Sequence, residues 1–497
     1  MIFKIKKPPI DEKNSFDRKL DRKKEILGHY NKLASKPSSW INKNDFFHSQ
    51  DRSYFRFLIS ENLRILDIGC GNGDLLASLK PSDGIGLDIS TKMIDLAKSK
   101  YSSKENPNLR FLAGDIEDEK IISELKGTFD IILLSDTVGL IDDVQNCFSS
   151  LHNLCHSDTR VIVSYFSWLW TPILVSSEAL SLKRKQMPLN HLSAKDIDDL
   201  LEISDFDIIK RDWRQLIPKH LFGIGPAVNR TIATLPLIRK LCVRNYVVAR
   251  SLKAIRNIRP STTIVIPCRN ERGNILPAVQ RLPEFNSDME ILFVEGHSSD
   301  GTLEEINRVI KEFPHKNIRV TVQDGMGKGD AVRKAFKMAS NDILMILDAD
   351  LTVPPEDLIK FYNAISSGKG EFINGTRFIY PMEKGAMRWL NVGGNLFFAW
   401  VFSWLLNQRF TDTLCGTKVL SKEHYKSIAK NRSYFGDFDP FGDFDLIFGA
   451  TKLNLKVVEI PIRYAERTYG TTQISRFRHG LMLLRMVFFA FRKLKSL

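Results

Sequence analysis

Two short clusters in this chain pair residue types with the spacing that ligand chemistry needs. The first, Asp67-Ile68-Gly69-Cys70-Gly71-Asn72-Gly73, follows the mainly apolar run 63–66. The second, Asp348-Ala349-Asp350, closes the apolar run 343–347. An acid at a strand end, followed by G-x-G-x-G and a helix, allows a tight turn and close approach of a ligand to backbone. It also leaves unpaired N–H groups at the helix start. Two carboxylates two residues apart on a strand face the same side. Such a pair suits Mg²⁺ or Mn²⁺ and, through the metal, a diphosphate. Each pattern is common by itself, so its surroundings decide what it means.

Three further features accompany the first cluster. Asp88 ends the next predicted strand, fifteen residues after Gly73, where its carboxylate can accept both hydroxyls of a ribose. Asp115, in Ala113-Gly114-Asp115-Ile116, ends the third strand and can accept from an exocyclic amine. Phe129-Asp130-Ile131-Ile132 begins the fourth. This set resembles the class I S-adenosylmethionine-dependent methyltransferases over roughly residues 25–250. The resemblance implies that Asp67, Gly69, Gly71 and Gly73 cradle the methionine part of S-adenosylmethionine, Asp88 its ribose and Asp115 its adenine. The G-x-G-x-x-G spacing of a dinucleotide site is absent, so a nicotinamide cofactor is not expected. No Asn-Pro-Pro-aromatic motif of the kind used on base amino groups occurs. Tyr30, His152, Tyr165 and His191 are the candidate acceptor-site groups, each weighed against a packing or surface role. His191, in Leu189-Asn190-His191-Leu192-Ser193, is taken as the base for a hydroxyl acceptor. The pair Trp168 and Trp170 reads as core or lid.

The second cluster also has ordered neighbours. The run 263–266 leads into Pro267-Cys268-Arg269-Asn270-Glu271, and the run 291–294 into Glu295-Gly296-His297-Ser298-Ser299-Asp300-Gly301-Thr302. Gly327-Lys328-Gly329-Asp330-Ala331 opens a helix and offers N–H groups and a lysine to phosphate. Gly375-Thr376-Arg377, then Asp412, Cys415-Gly416-Thr417-Lys418 and Arg467-Thr468-Tyr469-Gly470, complete the series.

In this order the blocks resemble family-2 glycosyltransferases, of the branch that includes dolichyl-phosphate mannosyltransferase, over roughly residues 260–475. The resemblance implies a GT-A fold and inverting hexose transfer from a UDP- or GDP-sugar. Pro267, Asn270 and Glu271 would border the nucleotide, and Lys328 would approach phosphate. Asp348 and Asp350 would hold the metal, with Arg377 and Arg467 neutralising the leaving diphosphate. The chain departs from the family at Glu295-Gly296, where two adjacent acids are usual, at His297 in place of a glycine, and at Gln473 in place of a lysine. A polyprenyl phosphate acceptor is already anionic and needs no base. A saccharide hydroxyl would need one, and among Asp437, Asp439, Asp443 and Asp445 the candidates are Asp443 and Asp445.

The elements that must position these groups read as two α/β series. Strand-like runs near 64–66, 84–87, 109–112, 129–134 and 160–164 alternate with helical or turn segments, and a second series runs through 262–266, 290–294, 318–322 and 343–347. Such alternation implies mostly parallel sheets covered by helices. The expected fold is α/β, with two Rossmann-like domains: a class I methyltransferase fold, then a GT-A glycosyltransferase fold. The expected organisation is a basic tail over 1–24, the first domain over 25–250, a linker over 251–261, the second domain over 262–475 and a basic amphipathic helix over 476–497.

At 497 residues the chain exceeds one ordinary core. Its net charge of +14 favours anionic partners. The charge collects at the ends, with nine Lys/Arg against four acids in 1–24 and six against none in 474–497. It is not interleaved with aromatics across a face, so nucleic acid is not the expected partner. The six scattered cysteines fit a reducing compartment. No run reaches the ~20 apolar residues of a membrane span. The expectation is a cytoplasmic protein, peripheral at the cytoplasmic membrane face through 390–406 and the C-terminal helix. There Arg478, Arg485 and Arg492 recur every seven residues among Leu and Phe. The acceptor would be a polyprenyl phosphate or glycan-lipid. The alternatives are transfer to a saccharide hydroxyl, or one half serving as a non-catalytic binding module.

Overall fold

The alternating runs are realised in two compact units, Met1–Ala254 and Ile255–Leu497, each with its own seven-stranded sheet. The computed structural model describes residues 12–35, 45–179, 187, 190, 192–255, 259–285, 288–381, 389–434, 442–470 and 476–496.

In the first unit, two helices, α1 (Glu12–Ala34) and α2 (Asp45–Leu58), precede strands β1 (Arg64–Ile68), β2 (Asp83–Asp88), β3 (Leu109–Ala113), β4 (Phe129–Ser135) and β5 (Cys155–Phe166). These five pair in parallel in the order β3-β2-β1-β4-β5. Parallel strands covered on both faces need continuous apolar runs, and Ile131, Ile132, Leu133 and Leu134 of β4 are all buried. The stretch 165–250 then supplies α3 (Thr171–Ala179), β6 (Phe206–Arg214) and β7 (Arg244–Ser251). Strand β7 inserts antiparallel between β5 and β6, so the parallel pattern expected from the sequence holds for β1–β5 and changes at this edge.

One ion network ties α2 to the sheet. Arg244, wholly buried in β7, pairs with Asp51 of α2 at 3.1 Å and with Asp136, just beyond β4. Tyr246 donates to the same Asp51, and Ser164 Oγ accepts from Arg244 at 2.9 Å. A buried charge is tolerated when it is fully partnered.

In the second unit, β8 (Thr262–Cys268), β9 (Met289–Glu295), β10 (Asn317–Val322) and β11 (Ile343–Ile346) form a parallel block in the order β10-β9-β8-β11. Helix α4 (Lys328–Met338) lies between β10 and β11 in sequence. The sheet continues through β13 (Lys418–Ser421), antiparallel to β11 and to β12 (Phe372–Thr376), and ends on β14 (Val457–Pro461), parallel to β12. Its core includes Ile264, Phe293, Met345, Phe361 and Ile373.

Helices α5 (Trp389–Leu406), α6 (Asp443–Lys452) and α7 (Arg476–Ala490) complete the unit. Helix α5 buries Phe402 and Leu405 but exposes Leu396, Phe397 and Trp400. Helix α7 buries Leu483, Met486 and Ala490 but exposes Leu481, Leu484 and Phe488. Among the described residues, no helix is long and apolar enough to cross a membrane.

Replacing Arg244 by Met should destabilise the first unit by about 3–5 kcal/mol, because Asp51 stays buried without its cation. Hydrogen exchange of the β4, β5 and β7 amides against denaturant would measure it. Unchanged protection would show that the network contributes no stability.

Candidate active sites

The glycine loop after β1 opens on a cavity of about 930 Å³, bounded also by α1, α2 and the ends of β2, β3 and β4. Gly69, Gly71 and Gly73 all have left-handed backbone, with φ of 78°, 53° and 79°, which a side chain would strain. A Cβ on Gly69 would also lie 2.1 Å from Thr137 Oγ1. The Gly71 N–H donates to Asp88 Oδ2 at 2.9 Å, and the Ser90 N–H donates to Asp88 Oδ1 at 2.8 Å. Asp88 is thereby fixed at the cavity wall with a lone pair left on each oxygen.

Asp67 differs. It is buried, and neither carboxylate oxygen has a hydrogen-bond partner among the described residues. Burial, and secondarily the nearby Asp88, push its pKa from 3.8 up to about 7. An orphaned carboxylate of this kind suits a cationic ligand group.

Asp67 itself does not line the cavity, although Ile68 and Gly69 after it do, and further lining groups come from distant parts of the chain. Asp115 accepts from Lys23 of α1, which also reaches Glu117 at 3.2 Å. Burial would lower the Lys23 pKa, but Asp115 and Glu117 hold it above its ordinary value. Residues 12–24, expected as a basic tail, are thus the first half of α1, and Arg22 and Lys23 point to acids of the sheet edge.

Tyr30 lines the cavity, with its pKa raised to about 12 by burial and by the charges of Asp136 and Asp88. His48 of α2 and Asp136 line it too. His48 makes no hydrogen bond with the described residues. Burial, opposed by Asp51 and Asp136, keeps its pKa below the ordinary histidine value, so the ring is neutral near pH 7.

The sequence reading did not single out His48, since a lone histidine on an amphipathic helix carries no spacing signal. Of its own candidates, Tyr30 reaches the cavity and the other three do not line it among the described residues. His152 donates from Nε2 to the Ser204 carbonyl at 2.6 Å, accepts from Ser251 at Nδ1 and stacks on Phe206. That is a packing role. Tyr165 is buried in the core, and His191 lies outside the described residues.

In the second unit, cations meet the paired carboxylates. Lys328, at the start of α4, sits 2.5 Å from Asp348 Oδ1. Arg467 donates to Asp350 Oδ2 at 2.7 Å and to Glu271 at 3.1 Å. Asp350 Oδ1 accepts from the Thr352 N–H and hydroxyl at 3.2 and 2.8 Å. Burial would raise the Asp348 pKa, but Lys328 outweighs it and holds the carboxylate ionised. Lys328 in turn stays charged against burial through Asp348 and Asp443. Gly416 permits this approach, because a Cβ there would lie 1.9 Å from Asp348 Oδ2 and 2.3 Å from Lys328 Nζ.

The structure therefore brings Glu271, Lys328, Asp348, Asp350 and Arg467 together. Asn270, at φ 57°, holds the turn beside them by accepting from the Ser299 N–H at 2.9 Å. Pro267 lies in β8, in register with Val294 of β9. Glu295 accepts from the His297 and Ser298 N–H groups at 3.1 and 2.6 Å and so shapes its own turn. Arg377 is buried in a two-point pair with Asp412, at 2.6 and 2.8 Å. Asp443 pairs with the fully buried Lys418 at 3.2 Å, whereas Asp445 pairs with Arg432 at 2.8 Å. Asp437, Asp439 and Gln473 lie outside the described residues.

Comparison with known proteins divides the chain at the same place. A family model described as glycosyl transferase family 2 matches residues 263–427, and one described as a methyltransferase domain matches residues 59–218. The chain is 27% identical over 219 residues to the glycosyltransferase AglJ of Haloferax volcanii, covering 44% of this chain and 67% of that protein. It is 34% identical over 119 residues to the dolichol-phosphate mannosyltransferase of Pyrococcus furiosus, covering 24% of this chain and 33% of that protein. It thus spans from 33% to 67% of the length of these curated relatives. A solved SAM-dependent methyltransferase from Thermotoga maritima aligns at 15% identity and a TM-score of 0.35, over 45% of this chain and 99% of that one.

Asp67 carries a pH signature. Its folded pKa of about 7 lies above the ordinary aspartate value of 3.8. The folded state therefore keeps the proton longer, and stability falls as pH rises from about 4 to about 7. Asp67→Asn should gain stability over the parent across that window, by up to about 1.4 kcal/mol per pH unit. Urea denaturation of both proteins at several pH values would measure this, and parallel curves would refute it.

Proposed function

Because the chain joins a methyltransferase domain to a family 2 glycosyltransferase domain, we propose a bifunctional enzyme. One unit transfers methyl groups from S-adenosylmethionine. The other performs metal-dependent, inverting transfer of a hexose from a nucleotide sugar to a polyprenyl phosphate. The observation that supports the first activity is the Asp67 carboxylate, which precedes the glycine loop and has no hydrogen-bond partner among the described residues. It fits the ammonium of S-adenosylmethionine, while Asp88 retains acceptor capacity for the ribose hydroxyls and Asp115 for the adenine amine. S-adenosylmethionine, when bound, supplies an electrophilic methyl on sulfur. In-line attack then needs only an oriented acceptor and, for a hydroxyl, a base. His48, neutral and facing the cavity, is the base this geometry offers.

The observation that supports the second activity is the pair Asp348 and Asp350, each paired with a base, Lys328 and Arg467. Two such carboxylates suit Mg²⁺ or Mn²⁺, and when bound the metal supplies charge neutralisation for the diphosphate. Lys328 and Arg467 are placed to add to it as the bond from the anomeric carbon to the diphosphate breaks. Asn270 and Glu271 border the space for the nucleotide, UDP or GDP. Arg377, fixed by Asp412, contributes its field rather than a free guanidinium.

Three observations support a lipid-phosphate acceptor over a saccharide hydroxyl. The relative from Pyrococcus furiosus is named for dolichol phosphate. Asp443, which faces Lys328 of the cluster, is already engaged by Lys418 at 3.2 Å rather than open to an acceptor hydroxyl. Finally, α7 exposes Leu481, Leu484 and Phe488 beside Arg485, a face suited to an anionic membrane interface. This face supports a peripheral enzyme at the cytoplasmic membrane face.

Asp350→Ala should cut metal-dependent release of nucleoside diphosphate, with polyprenyl phosphate as acceptor, by at least about 100-fold. Gly416→Ala should do the same while the fold persists by circular dichroism. Release that needs a glycan instead of the lipid phosphate would replace the acceptor assignment. His48→Asn should lower methyl incorporation into an extract of the organism's own lipids by about 100-fold. Calorimetric affinity for S-adenosylmethionine should stay unchanged. A parallel loss of affinity would assign His48 to cofactor binding instead.

A further inference from the structure

Between Asp212 and Glu271 the chain contains no acidic residue, although it carries eleven Lys and Arg there. Within the first unit this stretch is also where apolar side chains face outward. Phe222 is fully exposed, and Leu237 is 84% exposed. Ile224 and Leu241 are exposed beside them, with Lys219, Arg230 and Lys240 exposed on the same stretch. Leu221 and Phe222 both have left-handed backbone, at φ 44° and 53°. That conformation is costly for bulky residues, so the fold holds this apolar tip outward against a local preference.

A second exposed segment adjoins the first. Helix α3, Thr-Pro-Ile-Leu-Val-Ser-Ser-Glu-Ala, buries none of its residues, and the turn before it exposes Trp168 and Leu169. Trp170 Nε1 donates to the Leu241 carbonyl at 2.7 Å, and the Ser167 N–H donates to the Val243 carbonyl at 2.7 Å. These bonds join the two segments into one surface. Trp168 is 57% exposed and so is not core.

We propose that this surface of the methyltransferase unit docks on an anionic lipid bilayer, with Phe222, Leu237 and Trp168 entering the interfacial layer. Charge selects this occupant. A bilayer interface accepts scattered apolar tips of different depth, and anionic head groups match bases that have no acids among them; Glu178, at the end of α3, is the exception. The surface adjoins the mouth of the cavity. His220 contacts the ring of Phe46 on α2 at 5.6 Å, and Asp45 and His48 on either side of Phe46 line the cavity. The docking is separate from that of α7 and does not depend on either transfer activity.

A site-specific label separates the two contacts. All six native cysteines are buried, so a cysteine placed by Phe222→Cys in the full chain can be labelled selectively with an environment-sensitive fluorophore. Vesicles of equal parts phosphatidylcholine and phosphatidylglycerol should shift its emission to the blue and make it quenchable from within the bilayer. Phosphatidylcholine alone should have much less effect, and a label at Lys104→Cys, on an exposed loop of the same unit, should stay in water. The double variant Phe222→Asp, Leu237→Asp should weaken vesicle binding at least about tenfold. A label at 222 that stays in water while the protein sediments with vesicles would overturn the proposal. So would a blue shift that rises with protein concentration without lipid, which would assign the surface to a second copy of the chain.

Discussion

A carboxylate at the carboxyl end of a parallel strand sits where the sheet has no groups left to neutralise it, and both units are arranged around that constraint. The strand supplies rigidity and the following loop supplies access, but the charge must find a cation or lose its ionisation. The two units meet the demand in opposite ways. In the first, Asp67 has no hydrogen-bond partner among the described residues, and burial pushes its pKa up to about 7. In the second, Asp348 and Asp350 each carry a basic partner, Lys328 and Arg467. On the proposed reading, a cationic ligand at the first site would relieve a desolvated acid. On the same reading, a divalent cation at the second would compete with side chains already in place, so its affinity there would be a difference between two charge pairs.

That difference reaches outward through the packing. Lys328 can approach Asp348 only because Gly416 has no side chain. Gly442, at φ 74°, lets the start of α6 close on Gly329, where a Cβ would meet the Gly329 Cα at 2.6 Å. This closure brings Asp443 and its partner Lys418 into the field of the same cluster. The first unit has its counterpart in Arg244, whose pairs with Asp51 and Asp136 set α2, and with it His48, against the sheet.

Much of this was legible in the sequence. Asp67, Asp88, Asp115, Asp348 and Asp350 all fall at or just beyond strand ends, because apolar runs and glycine turns mark those ends locally. What was not legible depends on contacts between remote segments. His48 and Lys23 reach the first cavity on helices that carry no motif. The choice between Asp443 and Asp445 is also tertiary. Two residues on a helix lie about 200° apart, so one turns to Lys418 and the other to Arg432. The antiparallel edge of β6 and β7 escaped because β6 mixes Asp, Lys and Arg into its run, which blurs the apolar signal of a strand.

The overall charge of +14 says less than its distribution. A base on a surface with interspersed acids is mostly solvated, and its field is screened within about 10 Å. The same base among exposed apolar side chains, with no acid nearby, acts together with them. Each apolar tip left in water forgoes on the order of 25 cal/mol per Å² of burial. The left-handed pair Leu221 and Phe222 adds a backbone cost of order 1–3 kcal/mol per residue. The fold sustains both penalties at one place in the first unit, and the exposed apolar face of α7, with Arg485 and Arg492, shows the same pairing in the second. Local loss of stability combined with one sign of charge is the signature of a surface completed by something outside the chain.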